Sequence, residues 1–93
     1  MRYFIRRTNR ETGRVWKAYC EEKNGKYVLK AGSIISDKEL LRCPKMIQEM
    51  RNTASISKER VLLEDVEFET LSNAAAFVLA TNAWGEREWK KEM

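Results

Sequence analysis

The chain has no histidine, one proline, two cysteines and four glycines in 93 residues. The missing histidine removes the commonest general base and metal ligand. Ser/His and Cys/His nucleophile pairs and zinc-hydrolase spacings are therefore excluded. Cys20 and Cys43 are too few and too widely spaced for a disulfide framework or a zinc site, and read as small buried hydrophobes. No apolar run approaches the ~20 residues needed to span a bilayer. The first residues, Met-Arg-Tyr-Phe-Ile-Arg-Arg, lack a signal peptide's apolar region. The expectation is a cytoplasmic protein with no membrane association. No phosphate-cradling glycine loop is present, and Gly32-Ser33 alone is not one. The residues predict no cofactor, no metal and no catalytic site, hence not an enzyme.

What is present is a basic front joined to a mildly acidic back. Residues 1–30 hold nine Lys/Arg against three Asp/Glu, a net +6, and residues 31–93 carry −2. Such asymmetry steers an anionic partner. The length is that of one domain, 1–93, able to bury a modest core.

Patterning predicts α+β: an N-terminal antiparallel meander with two short helices packed on the sheet. A strand begins at Tyr3-Phe4-Ile5. Asn9 to Gly13 is a loop by composition. From Arg14 to Glu22 the chain alternates, with Trp16, Ala18 and Cys20 on one side and Lys17, Tyr19 and Glu21 on the other. Asn24-Gly25 is a type I′ hairpin signal, since both central residues must take positive φ. That turn sets Cys20 opposite Leu29, Tyr19 opposite Lys30 and Ala18 opposite Ala31. Ser36 to Glu39 fits a capping box, followed by a short turn over 37–42. Pro44 bars one long helix and instead suits the first turn of a helix to about Asn52, with Ile47, Met50 and Met46 inward. Thr53 to Arg60 reads as a loop with its tip at Ser57–Arg60. Val61-Leu62-Leu63 and Val66-Glu67-Phe68 follow as two short strands or one bent strand. Asp65, Glu67 and Glu69 form a solvated edge rather than a cation site, which needs oxygens converging from several elements.

The last third centres on Phe68 to Trp89. Ser72 is the expected N-cap of a helix over about 73–80, with Leu71 as a staple over Ala76. Ala75, Val78 and Leu79 share a face, and three consecutive alanines allow a close approach to a sheet. A turn at Asn82 to Gly85 ends the helix, Trp89 returns over the core, Trp84 covers an edge, and Lys90 to Met93 is a frayed tail.

Phe68, Ser72, Ala74, Ala75, Gly85 and Trp89 carry a resemblance. The stretch is similar to a bacterial domain of unknown function found at the C-terminus of GIY-YIG-type nuclease proteins, itself similar to the RAMA domain of restriction and adenine-methylase systems. That pattern runs Phe-Ser-Ser-Pro-Ser-Ala-Ala-Ala, an apolar helix, Gly, then Asn-Gly-Trp-x-x-Trp. Val28 to Ser33 and Glu64 to Phe68 resemble two earlier segments, so the likeness covers about residues 27–90. Leu71 stands for proline, Ala80 for glycine, Trp84 for asparagine and Glu86 for tryptophan. The resemblance implies an accessory module in a nucleic-acid setting.

The residues supply one set suited to that. Arg6, Arg7, Arg10, Arg14 and Lys17 are interleaved with Tyr3, Trp16 and Tyr19. Guanidinium groups hold phosphates and aromatic rings offer stacking faces. The leading expectation is a non-catalytic module binding nucleic acid, DNA foremost, through the basic N-terminal sheet and loop. The rival is a protein-interaction or regulatory module using a strand edge or a Trp84 patch, including self-association. The oligomeric state stays open.

Overall fold

The first three strands zip together because their apolar residues alternate. In the computed structural model, which describes residues 2–8, 13, 15–36, 44–80 and 88–92, β1 (Arg2–Thr8) pairs antiparallel with β2 (Val15–Lys23), placing Ile5 opposite Ala18 and Tyr3 opposite Cys20. All four are buried on one face. β2 turns into β3 (Lys26–Leu29) through Asn24 (φ 53°) and Gly25 (φ 79°), the expected I′ geometry, and Cys20 faces Leu29 as predicted.

The register then departs from expectation. The N–H of Lys30 still donates to the carbonyl of Tyr19 at 2.9 Å, but Ala31 and Gly32 loop out and Ile34 rejoins β2 opposite Lys17. Ala31 is exposed instead of facing Ala18. The cause is local: Gly32 takes φ 93°, and the Lys30 carbonyl accepts the Ser33 N–H. The Tyr19 N–H, denied that carbonyl, donates to the buried Ser33 Oγ at 3.0 Å.

Helix α1 (Lys45–Thr53) starts one residue later than predicted, with Pro44 in the extended N-cap position. Ile47 is fully buried and Met50 packs on the core edge, but Met46 is 53% exposed. Arg51 takes the inward place: it is buried, donates to the Ser36 carbonyl, and lies 6.0 Å over the Phe77 ring. The predicted capping box and turn over 37–42 fall outside the described residues. The tip at Ser57–Arg60 is confirmed, yet the segment is a small hairpin rather than a free loop: Ile56 bridges Leu62, and Val61 bridges Ile34.

β4 (Val66–Phe68) pairs with β3, and α2 (Leu71–Leu79) follows. Its N-cap is Thr70, whose Oγ1 accepts the Asn73 N–H at 3.1 Å; Ser72, the expected cap, sits exposed in the first turn. The helix is buried from Ala74 through Val78, more than one face. Phe77 is its largest buried side chain and meets Phe68 edge-on at 5.4 Å. The helix ends at Ala80 as expected, in the left-handed conformation (φ 59°), and the expected turn at 82–85, with Trp84, lies outside the described residues. Trp89 does return over the core, its indole N–H donating to the Leu71 carbonyl at 2.9 Å. The tail is not frayed. Residues Lys90–Glu92 form β5, which pairs with β1 and completes an all-antiparallel sheet ordered β4-β3-β2-β1-β5. The fold is α+β, with α2 on one sheet face and α1 packed against α2.

Thr70→Ala should lower stability by about 1 kcal/mol through loss of the cap. Ser72→Ala should cost less. Urea midpoints of the two variants decide between the caps, and a larger loss for Ser72→Ala would overturn the assignment.

Candidate nucleic-acid interface

Alternation along β1 and β2 sorts the basic residues by parity. Tyr3, Ile5, Trp16, Ala18 and Cys20 face the helices. Arg2, Phe4, Arg6, Lys17, Tyr19 and Glu21 face away, and none of the six is buried. Arg6 and Lys17 stand directly opposite each other across the two strands. Phe4 and Tyr19 form the next outward-facing pair, with Tyr19 39% exposed. Lys90 of β5 lies opposite Phe4, and Lys30 bonds to Tyr19 from the other flank. A lateral row Lys90–Phe4–Tyr19–Lys30 thus crosses β5, β1 and β2 and ends at the residue after β3.

The five predicted phosphate-binding residues separate. Arg6 and Lys17 are brought together on the open face. Arg7 has the opposite parity, beside Trp16, and its guanidinium is ion-paired with Glu88. Arg10 and Arg14 lie outside the described residues. Of the three interleaved aromatics only Tyr19 is exposed, with the Lys17 ammonium over its ring; Tyr3 and Trp16 are each 7% exposed and belong to the interior. Phe4 and Lys90 were missed. Phe4 was read only as part of an apolar run, although its even position alternates with Tyr3 and Ile5. Lys90 was read as tail.

Like charges directly opposite in a ladder repel, so Arg6 against Lys17 and Lys23 against Lys26 cost stability. Some relief is internal. The Lys17 ammonium lies 5.6 Å from the centre of the Tyr19 ring, and Lys26 is ion-paired with Glu69. Lys30 is held at 3.0 Å by Asp65, which also accepts the Ala31 N–H at 2.8 Å. The Ala31 N–H and the Lys30 ammonium together hold the Asp65 carboxyl below its ordinary value. Among the described residues no carboxylate pairs with Arg6, Lys17 or Lys90. Two shallow hollows flank the aromatic pair. One of about 290 Å³ is lined by Phe4, Ile5, Arg6, Arg7, Glu88 and Lys90. The other, about 280 Å³, is lined by Arg2, Tyr19, Glu21 and Lys30.

The predicted acidic edge is divided among partners: Asp65 serves Lys30 and Ala31, Glu69 serves Lys26, and Glu67 stands on the open face opposite Val28. Among the described residues no group of acidic or thiol side chains is placed to hold a metal ion. The Cys20 thiol is buried and pushed up to about 12 by desolvation, which keeps it protonated and inert as a nucleophile at neutral pH. The motif residues Phe68, Ala74, Ala75 and Trp89 lie in the core behind the sheet, Ser72 lies exposed on α2, and Gly85 falls outside the described residues.

These features define a small α+β domain whose sheet has one face filled by helix and the other left basic and aromatic. The chain belongs to the family described as Domain of unknown function (DUF4357), whose model matches residues 10–93. No curated protein and no solved structure matches it.

The Asp65 contacts carry a pH dependence. A carboxyl lowered by folding adds stability above its ordinary value of 3.8, and that stability is lost as pH falls through the folded-state value. Asp65→Asn should therefore lower the melting temperature at neutral pH and flatten the acid limb of melting temperature against pH. An acid limb identical to that of the parent would contradict the role assigned to Asp65.

Proposed function

We propose that this domain is a non-catalytic accessory module that binds DNA through the open face of its sheet. The observation that carries the reading is the clustering of Arg6, Lys17 and Lys90 around Phe4 and Tyr19 on a face that no helix among the described residues covers. Unpaired cations there attract a polyanion, and phosphate contacts give affinity without reading sequence. The resemblance of Phe68–Trp89 to domains that accompany GIY-YIG nucleases and adenine-methylase systems supports DNA as the polyanion, and a nuclease or methylase as the setting. On this reading the motif residues build the scaffold and the N-terminal strands supply the contacts.

A second reading, a protein-interaction module, draws on Met46 and Leu63, which are 53% and 58% exposed. The outermost strands, β4 and β5, span three residues each, which offers little template for strand addition. A mass that rises with concentration in light scattering would favour this reading in its self-associating form.

Fluorescence anisotropy of labelled DNA across a salt series tests the leading reading. Replacing Arg6 and Lys17 together by glutamine should reduce the log–log salt slope by about 1.4, at ~0.7 per single-strand phosphate contact. Reversing both to glutamate should abolish binding while circular dichroism stays native. Arg7→Gln should matter less, because Glu88 already engages that charge. Unchanged affinity in the Arg6/Lys17 variants would overturn the proposal.

A further inference from the structure

We infer that the ligand of the open face is single-stranded DNA, with successive bases stacked on Phe4 and Tyr19; this rests on the DNA-binding reading above and specifies its form. Three observations converge. The first is geometric: five strands spaced ~4.8 Å apart make a face roughly 19 Å wide, too broad for the ~12 Å major groove of a duplex. A sheet face offers its side-chain rings to bases that are unpaired and can turn toward it. The second is placement. Phe4, half-buried, and Tyr19, exposed, are cross-strand neighbours near the middle of the face, on adjacent strands. Tyr19 keeps 39% of its surface open in the middle of β2. The third is charge. Lys90 flanks the ring pair on one side and Lys30, ion-paired with Asp65, on the other, and the Arg6–Lys17 pair borders it along the strands. Beyond the rings in the other direction the face turns mixed, with Arg2 beside Glu21 and Glu67 opposite Val28, so the favourable track ends there.

Stacking and phosphate binding then divide the work. The cations hold the backbone, and the two rings supply the contacts that a duplex cannot make.

The test compares fluorescein-labelled strands of equal length, about twelve nucleotides, by anisotropy at low salt: oligothymidylate, an abasic strand of the same charge, a mixed-sequence duplex, and oligouridylate. Oligothymidylate should bind more tightly than the abasic strand and the duplex. Tyr19→Leu should weaken oligothymidylate roughly 5- to 150-fold, the range of one lost stacking contact, and leave the abasic strand unchanged. Tyr19→Phe, which keeps the ring, should retain tight binding, and this pair stays informative if Phe4→Leu proves unstable. Equal affinity for oligothymidylate and the abasic strand, with no effect of Tyr19→Leu, would overturn stacking and leave the phosphate-binding reading standing. Tighter binding of the duplex would overturn the single-strand assignment alone. Oligouridylate held as tightly as oligothymidylate would overturn the choice of DNA. No binding of any strand would overturn this inference and the reading beneath it together.

Discussion

The burial of α2 against one face of the sheet is the constraint from which the rest follows. Ala74, Ala75 and Ala76 let the helix backbone approach closely, and Phe77 and Val78 complete the filling. Once that face is occupied, period-two alternation decides the fate of every residue on β1 and β2. Tyr3, Ile5, Ala18 and Cys20 go in; Phe4, Arg6, Lys17 and Tyr19 go out. Slipping the register by one residue would bury two cations, so the pairing has one acceptable solution. Trp89 ties the arrangement shut. Its ring covers the core, its N–H holds the first turn of α2, and the residues after it become the strand that carries Lys90 to the open face.

Magnitudes separate what holds the domain together from what it presents. Losing a buried aromatic such as Phe77 costs on the order of 3–5 kcal/mol, a large part of the ~5–15 kcal/mol that stabilises a domain. A cross-strand surface pair is worth only ~0.2–1 kcal/mol. The open face can therefore hold Arg6 against Lys17, an unfavourable pair, without endangering the fold. A cost that small needs no structural reason, but its position beside two aromatic rings makes functional sense if an anion relieves it. Of the motif that carries the family likeness, Phe68, Ala74, Ala75 and Trp89 are core residues, which explains the scaffold.

Much of this was legible from the residues. Asn24-Gly25 announced the hairpin and its register, and the alternation of Trp16, Ala18 and Cys20 announced the buried face. The same alternation, applied to β1, separates Arg6 from Arg7 and brings out Phe4; grouping the arginines by proximity in sequence hid that. Other features were not legible. The two-residue bulge at Ala31-Gly32 depends on Ser33 supplying an acceptor to Tyr19 across the sheet, a contact between residues fourteen apart. The cap fell to Thr70 rather than Ser72 because tertiary packing, not cap propensity, decides where α2 begins. Lys90 to Glu92 carry no strand signal of their own, and their pairing is imposed by the free edge of β1. Arg51 reads as a solvated helix charge and is instead drawn inward by the Ser36 carbonyl and the Phe77 ring.

The central claim is that one face of the sheet contacts nucleic acid and the helical side does not. Amide chemical-shift mapping during titration with a short single-stranded oligonucleotide tests it most directly. The account predicts the largest shifts at Phe4, Arg6, Lys17, Tyr19 and Lys90, with Ile47, Gln48 and Glu49 of α1 unmoved. Shifts concentrated on α1 and around Leu63, with the sheet face silent, would contradict it.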